Sequence, residues 1–154
     1  MVILKCSRLG IAVLGAAMLL HGANFTFTLG SPVAAQDFQS KNAAFVFRTE
    51  GCAEPEKPQL SASAEGMVAG ARKSIALRVV NTAKPGVYAI GQSWPAEGKW
   101  IVQLKGTCGQ QSAGAVVPMG PRGFIRESAK FFPRPATESE IEASLKALSE
   151  GGKQ

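Results

Sequence analysis

Between Ala43 and Phe132 a turn signal interrupts the chain at roughly ten-residue spacing, and the runs between turns alternate apolar with polar residues. Intervals that short leave no room for the helical crossovers that a parallel sheet requires. The chain is constrained to strands joined by turns, each with one face available for a shared core.

The first such run, Ala43–Thr49, carries Phe45, Val46 and Phe47. Cys52–Pro58 then breaks regular structure, because its two prolines fix φ and lack a backbone donor. Leu60–Val68 puts Leu60, Ala62, Ala64 and Val68 on one face, and a turn at Gly70–Lys73 leads into Ser74–Asn81. Lys84-Pro85-Gly86 is a turn in which proline presets φ and glycine takes the positive-φ position. Val87–Trp94 and Lys99–Cys108 follow, separated by the turn Pro95–Gly98; Trp100, Val102, Leu104 and Cys108 share a face opposite Ile101, Gln103 and Lys105. Further strands are predicted over Ala113–Met119 and Gly123–Phe132, about seven in all for a sandwich of this class. After Pro133 and Pro135, Thr137 and Glu140 have the spacing of a capping box, and Ile141, Leu145 and Leu148 recur at helical intervals up to the stop at Gly151. The fold class is thus all-β: an immunoglobulin-like antiparallel β-sandwich with a short amphipathic C-terminal helix over 137–150. That helix is expected to cover its own domain.

The N-terminal 35 residues have the three-part order of a secretory leader. Lys5 and Arg8 form a basic start, residues 9–20 an uncharged apolar run, and Val33-Ala34-Ala35 a small-residue cleavage point before Gln36. The apolar run is shorter than the roughly 20 residues that cross a bilayer core. An uncleaved anchor lengthened through Phe25, Phe27 and Leu29 is opposed by His21, Asn24 and the threonines between them. The reading is a signal peptide over 1–35, a single domain over 36–154, no transmembrane span after cleavage, and a periplasmic or secreted location.

Loss of that leader changes what chemistry is available. It removes two of 17 basic residues and none of the 11 acids, so the net charge falls from +6 to +4. That balance is too mild for a nucleic-acid footprint. The one histidine, His21, leaves as well. Of three cysteines, Cys52 and Cys108 remain, and a lone pair in an oxidising compartment reads as a disulfide.

The stretch Pro85-Gly86-Val87-Tyr88, followed by Trp94-Pro95, Gly98 and Trp100, resembles a hairpin of small exported bacterial β-sandwich domains, including periplasmic copper-resistance proteins. There a Pro-Gly-x-Tyr strand meets a Gly-x-Trp strand. The resemblance implies the fold; the histidine ligands of copper-binding relatives have no counterpart here.

Without imidazole, serine and cysteine triads lose their usual base. Ser128 with Lys130 is a pairing of a kind that chance produces, and no Gly-x-Ser-x-Gly elbow occurs after residue 35. Met67 and Met119 are the remaining thioethers, a copper(I) pair only if the fold joins them. Arg122, Arg126, Lys130 and Arg134 recur every four residues among Phe124, Phe131 and Phe132, a spacing that would align them on one side of a helix or a strand. Such a strip suits a polyanionic or glycan envelope component, or else protects an edge strand from aggregation. Trp94 could stack on a sugar, and Glu97 sits in the same hairpin tip. The expectation is a non-enzymatic binding or accessory protein of the cell envelope, needing no cofactor, with an unidentified protein or envelope polymer as partner. A metal-handling protein and an oligomerising envelope protein are the alternatives.

Overall fold

The computed structural model describes residues 23–32, 42–53 and 56–151. They form ten strands and one helix: β1 (Thr26–Gly30), β2 (Phe45–Glu50), β3 (Gln59–Val68), β4 (Ala71–Leu77), β5 (Val79–Asn81), β6 (Val87–Ile90), β7 (Lys99–Cys108), β8 (Gln111–Gly120), β9 (Gly123–Phe124), β10 (Lys130–Phe132) and α1 (Glu138–Glu150). Two antiparallel sheets result. One has the order β1-β2-β6-β5; the other runs β10-β8-β7-β3-β4, with β9 also on β8. In an immunoglobulin sandwich the strands A, B, E and D form one sheet and C, F and G the other. Here β1, β2, β6 and β5 face β3, β7 and β8 in that same order, and β4 extends the second sheet.

Alternation explains which faces meet. Trp100, Val102, Leu104 and Cys108 of β7 point inward with Ala113, Ala115 and Val117 of β8, against Phe45 and Phe47 of β2 and Ile90 of β6. Ile101 of β7 and Val116 of β8 point outward and meet Ile141 and Leu145 of α1. The helix therefore covers the outer face of the six-stranded sheet of its own domain. Its start is the predicted capping box: the Thr137 amide donates to Glu140 Oε2 at 2.7 Å, and Thr137 Oγ1 accepts from the Glu140 amide at 3.4 Å.

The disulfide Cys52–Cys108 joins the end of β2 to the end of β7, and so one sheet to the other, with Cα atoms 5.7 Å apart. By alternation Cys52 would follow the exposed Arg48 and Glu50 outward. Gly51, at φ +78°, re-aims it toward the core just after the strand ends. Such a bond belongs to an oxidising, extracytoplasmic location. No helix among the described residues is long and apolar enough to cross a membrane.

Several sequence expectations change in detail. Ser74–Asn81 is two strands in different sheets, β4 and β5, because the chain crosses the sandwich at Arg78. Ile75, Leu77 and Val79 still meet, since both sheets face one core. The β3–β4 turn is Ala69-Gly70, both at positive φ, with Val68 paired to Ala71; this two-residue geometry suits the twist of a hairpin. The strand predicted to Trp94 stops at Ile90. The predicted Gly123–Phe132 strand is broken into β9, a 3-10 turn at Arg126–Ser128, and β10.

Residues 1–22 and the junction Ala35–Gln36 lie outside the described residues. Within the stretch assigned to a leader, however, β1 pairs with β2 from Thr26↔Glu50 to Gly30↔Val46. The sandwich thus begins upstream of Gln36.

Candidate functional site

An open groove of about 920 Å³ lies at the end of the sandwich where β7 begins. Three segments shape it. The β6–β7 connection supplies Gln92, Trp94, Ala96 and Lys99; the end of β8 and the turn into β9 supply Pro118, Met119 and Pro121; and the last turns of α1 supply Ala147 and Leu148. Ser128 and Lys130 close a further side. The β6–β7 connection is held by its own chain: Trp100 Nε1 donates to the Glu97 carbonyl at 2.8 Å, and Gln92 Nε2 to the Trp94 carbonyl at 3.3 Å. The lining is mainly apolar, and Lys99 and Lys130 are its ionisable side chains. A concave apolar surface with a few convergent polar groups is the usual form of a small-ligand site, and this volume falls in the usual range of roughly 300–1,000 Å³.

Of the residues singled out in the sequence, the fold brings Trp94, Trp100, Met119, Ser128 and Lys130 to this groove. Trp94 is 7% exposed and belongs to the core, as does Trp100, so the pair forms no open stacking platform. Glu97 is exposed in the β6–β7 connection, which is not the tip of the expected hairpin, because β6 and β7 belong to different sheets and the chain crosses the sandwich between them.

The segment that carries the basic residues is neither one helix nor one strand, so their four-residue spacing does not align them as one regular element would. Arg122 is exposed in the β8–β9 turn. Arg126 lies 5.2 Å from the Phe124 ring centroid and donates to the Leu29 carbonyl at 3.3 Å. Arg134 lies 5.5 Å from the Phe132 centroid and grips Glu140 with two hydrogen bonds of 2.8 and 2.9 Å. That grip, with the Thr137 amide, holds the Glu140 carboxyl down at about 2, and it raises the Arg134 guanidinium. Arg126 and Arg134 are thus spent on the molecule's own structure.

Met67 and Met119 are not brought together. Met67 lies opposite Lys99 and Met119 opposite Trp100, so the two occupy opposite faces of the six-stranded sheet with β7 between them. Among the described residues no three His, Cys, Asp or Glu side chains converge as a metal site would require. Ser128 and Lys130 share the groove wall, but both are exposed.

A second polar cluster sits beneath the start of α1. Glu65 is buried on the outer face of β3 and accepts from Ser74 Oγ at 2.7 Å and from Ser63 Oγ at 3.3 Å. Arg72 bridges Glu65 to Glu138 and Glu142 of the helix. Its guanidinium is raised, chiefly by the hydrogen bond to Glu138. The cluster ties the start of the helix to β3 and β4.

Sequence reasoning missed the contribution of α1 to the groove, and of Gln92 and Lys99. Ala147 and Leu148 read as ordinary helix positions until the helix is laid across β7 and β8, and nothing local signals that placement. The molecule's class is a disulfide-tied, two-sheet antiparallel sandwich with a helix on one outer face. No family model, curated protein or solved structure matches the chain.

Proposed function

We propose that this protein is an exported, non-enzymatic binding module of the cell envelope, and that the groove beside Lys99 and Lys130 is its ligand seat. The observation that carries this reading is the lining itself: apolar walls from three separate segments, with ionisable groups of one sign only. Such a surface favours a partly apolar ligand bearing a carboxylate or phosphate, because desolvated apolar contact supplies affinity and the lysines fix orientation. The metal-handling alternative loses support from the separation of Met67 and Met119. Helix-mediated pairing loses support because Ile141 and Leu145 are already buried against the sheet.

Titration of the isotope-labelled protein with short-chain phosphatidylglycerol and with a soluble muropeptide tests this reading. Amide shifts at Gln92, Lys99, Lys130 and Leu148 with either probe, abolished by Ala147→Trp, support it. Shifts scattered elsewhere, or none with both probes, count against the groove as the seat.

A further inference from the structure

We infer that leader processing occurs upstream of β1, between Leu20 and Phe25, so that the mature protein retains Phe25–Gly30 as a strand of its sandwich. This rests on the export reading above, but it moves the processing point away from Ala35.

The first ground is that β1 is part of the core. Phe25, Phe27 and Leu29 are 3%, 4% and 6% exposed, and the Phe27 ring packs edge-on against Phe47 at 5.6 Å. Removal of three such side chains would uncover an apolar trough beside β2 and leave that strand as an unpaired edge, a template for aggregation.

The second ground lies in residues far along the chain that make room for this segment or bond to it. Gly106 sits on the inward face of β7, where alternation would place a side chain. A Cβ there would come within 2.8 Å of Phe27 and 3.0 Å of Phe25, so the bare backbone makes room for both rings. A Cβ on Gly51 would fall 2.3 Å from the Asn24 carbonyl oxygen. Two polar side chains from distant strands and turns also reach this segment: Gln111 Oε1 accepts from the Phe25 amide at 2.8 Å, and Arg126 donates to the Leu29 carbonyl. Room, register and hydrogen bonds are all provided for residues that cleavage at Ala35 would discard.

The third ground is the place of small residues. Secretory leaders carry them soon after the apolar run. Gly22 and Ala23 follow the run 9–20 after the single residue His21, whereas Ala34 and Ala35 lie more than a dozen residues beyond it. A mature chain starting at Asn24 or earlier would also keep the acceptor sequence Asn24-Phe25-Thr26.

The deciding experiment is the intact mass and N-terminal sequence of the full-length gene product recovered from the exported fraction under denaturing conditions. A mature chain starting between His21 and Phe25 is the expected result. A chain starting at Gln36, with or without a separate leader fragment, overturns the inference and leaves export standing. A chain still beginning at Met1 and absent from the exported fraction overturns the export reading and this inference together. Phe27→Asp supplies a second readout. If β1 is retained, the urea midpoint of the exported protein falls or the variant fails to accumulate; a mature product identical to wild type in mass and midpoint overturns the inference.

Discussion

The inner face of the six-stranded sheet meets a second sheet rich in aromatic rings, whereas its outer face meets a single helix. Among the described residues the inner cluster contains sixteen buried side chains, the disulfide-bonded Cys108 among them; the outer cluster contains four, Ile101, Val116, Ile141 and Leu145. What the outer side lacks in apolar area it replaces with charge: the Glu65–Arg72–Glu138 bridge and the Arg134–Glu140 pair, both at the N-terminal end of α1. The two sides therefore respond to different agents. Loss of apolar volume should dominate inside, while acid and salt should act first on the helix attachment.

The largest effect is expected from Phe45→Ala. Phe45 is fully buried between the sheets, and truncating such a ring typically costs about 3–5 kcal/mol. Urea denaturation should show the whole sandwich losing stability in one transition. Leu145→Ala, at the centre of the outer cluster, should cost less, about 2–3 kcal/mol, and should loosen α1 before the sheets. Amide exchange resolved by residue separates the two behaviours: equal acceleration in β7 and α1 would erase the contrast drawn between the faces.

The smallest effect concerns acid. Glu140 sits at about 2 in the folded chain against an ordinary 4.5. Because its folded value is depressed, the stabilisation is fully present above pH 4.5 and is lost as pH falls from there toward 2. Both partners are solvent-accessible, so the loss should be slight and local to the helix start. An NMR titration of the Glu140 carboxyl should show its midpoint returning toward 4.5 in Arg134→Ala. An unchanged midpoint would mean that Arg134 is not the cause.

Much of this contrast was legible in the chain. The parity of Trp100, Val102 and Leu104 against Ile101 and Gln103 separates the two faces of β7 correctly, and Thr137 with Glu140 marks the helix start. These signals are local: strand parity and capping depend on neighbours within a few residues. Three features depended on distant partners and were hidden. Phe25, Phe27 and Leu29 alternate as a strand does, yet they stand between an apolar run and the small residues Val33-Ala34-Ala35 and so read as part of a leader. The four-residue spacing of Arg122 to Arg134 presupposed one regular element, which the 3-10 turn at Arg126 breaks. The groove needs the far end of a helix to lie beside a hairpin, and no spacing along the chain encodes that.

The placement of the disulfide has a mechanical consequence. It closes a ring from Cys52 to Cys108 that contains β3 to β7, while β1, β2, β8, β9, β10 and α1 lie outside the ring. A pull applied at the two ends of the chain would pass across the bond and bypass everything between, since the cysteines are 56 positions apart in sequence. At about 3.4 Å per extended residue, roughly 190 Å of chain is withheld from stretching until the bond is reduced. Under tension the oxidised protein is a short tether with a folded insert, and the reduced one is a long tether.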